Sequence, residues 1–156
     1  MAAAGVRVAG ILSPGDFDHG RRSRFDLLIL DAGERLPLAE RGGNGPSDSG
    51  RGSRFLPETI VAGRAALARE RINRAGAVFI DEVEPLELRG EGWVPALDAV
   101  TATGKPMVWE VRSGLVEEVR RRWVLQNAIV LEVSATASES LAALVRAHTD
   151  QAAARR

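Results

Sequence analysis

The chain has 156 residues, with 21 arginines and lysines against 21 aspartates and glutamates, and it has no cysteine. Zero formal net charge leaves no global field toward nucleic acid or an anionic membrane surface, and the missing cysteines exclude a disulfide scaffold, a thiolate zinc site and a cysteine nucleophile. Twenty of the basic residues are arginine and Lys105 is the only lysine, so any lysine chemistry on this chain has one residue to draw on.

Two histidines, His19 and His148, are too few for a histidine-rich metal cluster. No apolar run approaches the roughly 20 residues that span a bilayer. The first seven residues lack a charged segment ahead of an apolar core, so they do not read as a secretory signal. The expectation is a cytoplasmic chain, without nucleic-acid or membrane partners, folded as one domain over residues 1–150 with a frayed tail at 151–156.

Val6 to Leu12 is a short apolar run closed by Ser13-Pro14-Gly15, which predicts a buried strand and a turn. Asp16 to Arg24 is polar and basic and reads as a loop. Phe25 to Leu30 is a second strand, and Asp31-Ala32-Gly33-Glu34 turns it into a third around residues 35–39, with Gly33 suited to the positive φ of a hairpin. Residues 41–54 hold five glycines and almost no apolar side chains, which predicts a mobile loop. A glycine, arginine and serine loop can also cradle phosphate, but a flexible linker is the simpler reading.

Pro57-Glu58 opens a helix to about Ala75. Ala77 to Ile80 is a compact apolar strand that runs straight into Asp81-Glu82. A helix over about 92–103 follows, with Trp93, Leu97 and Val100 stacked on one face. Met107 to Val111 is the next strand, and Ser113 starts a helix whose acids come early and arginines late. Ala128 to Val133 reads as the last strand. Thr136-Ala137-Ser138-Glu139 is a capping box for the last helix. Alternating helices and apolar strands predict an α/β fold, a three-layer sandwich with a mostly parallel sheet and an N-terminal β-hairpin.

Ligands of such sheets sit at the C-terminal ends of the strands. Asp81 and Glu82 occupy that position, where two acids can hold a magnesium ion and polarise a water. Acids after strands are also common without a ligand. Glu84 and Glu87 fit solvated loop acids, and Arg112 fits either a phosphate contact or a partner for a surface acid. Arg22 and Arg24 can contact phosphate or balance Asp16 and Asp18. No serine stands at a suggestive spacing from a histidine, so a hydrolase triad has no support.

The run Val78-Phe79-Ile80-Asp81-Glu82-Val83-Glu84-Pro85-Leu86-Glu87-Leu88 resembles the Walker B signature of the small P-loop nucleoside-triphosphatases, the family of the thermophile enzymes and the human cancer-related NTPase. Gly10 to Ser13, Gly20 to Phe25, Asp31 to Glu34, Gly104 to Val108 and Val130 to Leu144 are similar to further family segments, so the resemblance covers about residues 5–148. It implies Mg2+ with ATP or GTP as cofactors, Asp81 at the metal, Glu82 as the catalytic acid–base residue, and Arg22, Arg24 and Arg112 toward the nucleotide.

The family opens with a strand, a G-x-x-G-x-G-K-[ST] phosphate loop and a helix. No such motif occurs in these residues: Lys105 has Ala99 where the first glycine belongs and Pro106 where Ser or Thr belongs. The resemblance therefore implies a degenerate or incomplete domain that binds nucleotide weakly or only with a partner, and a sheet lacking one strand, open to a protein partner or to self-association. A non-catalytic interaction scaffold and a fragment of a full nucleoside triphosphatase are the alternatives.

Overall fold

A computed structural model of the chain describes residues 5–18, 21–41, 53–125, 127–134 and 137–154. Among the described residues, seven strands form one sheet: β1 (Val8–Leu12), β2 (Gly15–Asp18), β3 (Arg21–Ile29), β4 (Glu34–Arg41), β5 (Ser53–Phe55), β6 (Ala77–Val83) and β7 (Met107–Val111). Their order is β5-β4-β3-β1-β6-β7, with β2 paired to β3. Around them lie α1 (Pro57–Ala66), α2 (Arg69–Asn73), α3 (Pro85–Leu88), α4 (Val94–Thr101), α5 (Val116–Arg122) and α6 (Ala137–Ala154).

The α/β class holds, but the sheet is mixed. β1, β6 and β7 are parallel neighbours, as apolar strands joined through helices must be. The pairings of β1 to β3, β2 to β3, β3 to β4 and β4 to β5 are antiparallel. The N-terminal hairpin is thus continuous with the sheet through β1. Residues 16–18 and 21–24 are not a loop: Gly15–Asp18 pairs with the first half of β3, and Asp16 is opposite Arg24 in register. The polar composition hid the strand because strand pairing is set by neighbouring backbone as well as by side-chain polarity. The glycine-rich stretch lies mostly outside the described residues, and its end at 53–55 is β5.

The expected helix over 57–75 breaks at Leu67-Ala68 into α1 and α2. No glycine or proline marks that break. Leu67 and Ile72 are both fully buried, and the extended Ala68 between them lets each short helix turn its own apolar face inward. Gly63 lets α1 approach the core, because a Cβ there would lie 2.2 Å from the Trp93 ring. The core runs along β1, β3 and β6 under these helices, through Ile11, Leu27, Val78, Ile80, Leu97 and Val100.

Two C-terminal expectations change. Residues 128–133 do not form a strand; they are outside any helix or ladder, and Ile129, Val130, Leu131 and Val133 are exposed. Their apolar pattern is strand-like, but the described residues give them no neighbouring strand. Helix α6 continues to Ala154, into the stretch expected to fray.

Candidate functional site

The acid pair is positioned by the apolar run that precedes it. Ala77, Val78 and Ile80 are buried, and β6 lies inside the sheet between β1 and β7. Asp81 and Glu82 follow at the C-terminal end, half-buried, and Val83 is buried again. The strand therefore extends past the acids, where sequence alone ends it at Ile80. The Asp81–Glu82 peptide is cis, and the register with β7 shifts between Ile80 and Val83.

Ser13, just beyond the end of β1, clamps Asp81. Its backbone N–H donates to Asp81 Oδ2 at 3.2 Å, and its Oγ–H donates to the Asp81 carbonyl at 2.6 Å. Ser13 is itself buried, so these bonds form where water competes little. From the other side, β7 supplies Glu110. Asp81, Glu82 and Glu110 each bring a carboxylate oxygen to within 4.8 Å of the others. Such an all-oxygen, anionic donor set suits a hard divalent cation such as Mg2+.

Glu110 and Ser13 were missing from the sequence-derived site. The signal for Glu110 was available: the strand-end rule that selects Asp81 also applies to the parallel strand beside it. Ser13 carried none, since its role depends on a contact across 68 residues.

Glu84 and Glu87 turn away from solvent, contrary to their expected place as loop acids; both are buried. The Glu87 carboxylate accepts hydrogen bonds from the backbone N–H of Glu84 at 2.9 Å and of Trp93 at 3.3 Å. It ties the start of α3 to the start of α4. Burial raises its pKa above the ordinary 4.5, against the opposing pull of those amides and of Arg89. The folded state then holds the Glu87 proton more tightly than the unfolded chain does. The resulting stabilisation is complete below 4.5 and is lost as pH rises through the raised folded value. Glu87→Gln keeps the shape and does not titrate. Urea unfolding from about pH 4 to about pH 7 is expected to show wild type losing stability relative to this variant as pH rises; a constant difference would contradict that assignment.

Arg112 follows β7 and is half-buried, and its Nη2 donates to Glu84 Oε1. The structure thus pairs it with an acid beside the cluster. For Arg22 and Arg24 it gives only strand positions on β3 opposite Phe17 and Asp16; their side chains lie outside the described residues. Lys105 is engaged far from the acids. Its Nζ donates to the carbonyls of Asn73 at 3.0 Å and Ala75 at 2.6 Å, closing the end of α2. Because β6 and β7 are parallel, Lys105 lies at the opposite end of these strands from Asp81, roughly 17 Å away at strand rise per residue.

Known proteins resemble the chain in sequence and in fold. A family model described as NTPase matches residues 1–143. The chain is 34% identical over 136 residues to a nucleoside-triphosphatase THEP1 from Methanopyrus kandleri, covering 79% of this chain and 73% of that protein. It is 29% identical over 118 residues to the THEP1 of Pyrococcus abyssi, covering 74% of this chain and 64% of the relative. The crystal structure of THEP1 from the hyperthermophile Aquifex aeolicus superposes with a TM-score of 0.55 at 16% identity, over 83% of this chain and 76% of that one. Among the described residues, no helix is long and apolar enough to cross a membrane.

Proposed function

The chain belongs to the NTPase family, and from that membership we propose that it carries the acid half of a nucleoside-triphosphatase site and lacks the phosphate-holding half. The observation that carries this is the convergence of Asp81, Glu82 and Glu110 at the ends of adjacent parallel strands. Asp81 would hold Mg2+, with Glu110 as a further oxygen donor. The ion, when bound with ATP or GTP, supplies charge neutralisation at the phosphates. Glu82 orients and deprotonates the attacking water. Ser13 fixes the Asp81 carboxylate so that it need not reorganise when the cation arrives. Arg112 reaches phosphate oxygens by exchanging them for Glu84, with Arg22 and Arg24 as the other cationic contacts. The setting is the cytoplasm, where Mg2+ and nucleotides are abundant.

Phosphoryl transfer depends almost wholly on positioning and charge stabilisation. Without a G-x-x-G-x-G-K-[ST] loop, and with Lys105 spent on carbonyls at the far end, the chain alone has few charge-assisted contacts to offer a triphosphate. It therefore acts with a phosphate loop supplied from outside these residues. Titration with Mn2+, a paramagnetic substitute for Mg2+, tests the acid half. Broadening of backbone NMR signals is expected to centre on 81, 82 and 110 and to weaken at least tenfold in Asp81→Asn. Broadening spread evenly over surface acids would favour the non-catalytic scaffold instead.

A further inference from the structure

Strands β6 and β7 change register at the acids. Ile80 pairs with Trp109 and Val83 with Val111, so Asp81 and Glu82 together oppose Glu110 alone. Two residues against one is the arrangement of a β-bulge, which re-aims side chains that would otherwise alternate between faces. It lets carboxylate oxygens of two consecutive residues and of Glu110 lie within 4.8 Å of one another. Like charges this close repel, and the repulsion acts to part the strand ends. Among the described residues, the ladder beyond the bulge is the single pair Val83 and Val111.

One residue further along each strand, Glu84 and Arg112 close that end. Arg112 Nη2 donates to Glu84 Oε1. Glu84 is a fixed anchor. It is the N-cap of α3, its carboxylate accepts the Glu87 backbone N–H, and its own N–H donates to Glu87 Oε2 at 2.9 Å. The Glu87 carboxylate is held in turn by the Trp93 N–H. Arg112 is fixed on its own side, where its carbonyl accepts the Leu115 N–H at 2.8 Å in the turn Ser113–Leu115. The ion pair thus joins the start of α3 to the exit of β7. Exposed ion pairs contribute little, but the Glu84 side chain is only 11% exposed. A charge-assisted bond to a buried carboxylate is stronger, and removing its cationic partner is costly.

Taking the three acids as the cation site proposed above, we infer that Arg112 and Glu84 are positioning residues of that site: their ion pair clamps the open ends of β6 and β7 and so holds Glu110 within reach of Asp81 and Glu82. The sign of the effect separates a clamp from other roles. A guanidinium near three carboxylates opposes a divalent cation by Coulomb repulsion. If Arg112 only balanced charge, removing its charge would therefore tighten cation binding. A phosphate contact alone gives Arg112 no part in binding the cation by itself. A clamp predicts weaker binding instead, because partners that orient metal ligands typically govern affinity by roughly 10- to 100-fold.

The test uses the full chain and Mn2+ alone, with bound ion counted from the electron paramagnetic resonance of the free ion. Arg112→Gln is expected to bind Mn2+ roughly 10- to 100-fold more weakly than wild type. Arg112→Lys keeps the charge and a donor for Glu84, so its affinity is expected to fall closer to wild type than to Arg112→Gln. Without metal, amide hydrogen exchange in Arg112→Gln is expected to quicken roughly tenfold at 82–84 and 110–112 and to stay unchanged at 77–80 and 107–109. Unchanged or tighter Mn2+ binding by Arg112→Gln would overturn the inference. So would acceleration spread evenly along both strands, which marks a general loss of stability. A wild-type chain that binds no Mn2+ would sink the cation site itself, whereas the exchange pattern, read without metal, still decides whether the pair clamps the strands.

Discussion

Gly10→Ala is expected to destabilise the domain by more than about 4 kcal/mol, enough to unfold a domain of ordinary stability. Gly10 lies in β1 opposite Phe79 of β6, with φ at +124°. A Cβ at this position would stand 1.9 Å from the Phe79 carbonyl oxygen. Backbone in the middle of a sheet cannot move aside as a flexible side chain can. The positive φ adds strain for any residue with a side chain. β1 is also the strand that joins the antiparallel ribbon to the parallel half and brings Ser13 to Asp81. Thermal unfolding followed by circular dichroism checks the expectation, and a melting temperature within a few degrees of wild type would refute it. Gly33→Ala is the matched comparison. It too has positive φ, but nothing lies within 4 Å of its added Cβ, so the cost is that of backbone strain alone, on the order of 1 kcal/mol.

The second large effect concerns Glu82. With the phosphate loop supplied in trans or by fusion of a strand, a G-x-x-G-x-G-K-[ST] loop and a helix, Glu82→Gln is expected to lower kcat roughly 100- to 10,000-fold. KM should change little. Glutamine keeps the size and can still orient water, but it cannot take the proton. Asp81→Asn should instead raise the Mg2+ concentration needed for half-maximal rate. Phosphate release measured across a Mg2+ series separates the two residues. Equal turnover by wild type and Glu82→Gln would remove Glu82 from the chemistry.

The legible part of the fold was the part governed by continuous apolar runs. Ala77–Ile80 and Met107–Val111 are strands because nothing else buries such runs between helices, and the strand-end rule led directly to Asp81 and Glu82. The pairing of 15–18 with 21–25 was not legible, because it comes from a neighbouring strand and the sequence there has no apolar run. The segment 128–133 failed for the opposite reason. Its pattern suits a strand, but a strand needs partners, and pattern carries no information about whether they are present. Glu84 and Glu87 misled because a charged side chain near a site reads as solvated until the amides that receive it are known; backbone N–H donors of residues 84 and 93 make burial of Glu87 tolerable. Lys105 was set aside on motif context alone; in the structure its Nζ donates to two backbone carbonyls.

Nucleotide affinity of the unaided chain bears most directly on the central claim that the acid half is present and the phosphate-holding half is not. Isothermal titration of the 156-residue chain with Mg·ATP and Mg·GTP is expected to give dissociation constants weaker than about 1 μM, a binding free energy smaller in magnitude than about 8 kcal/mol. Binding of either nucleotide tighter than about 1 μM would contradict it.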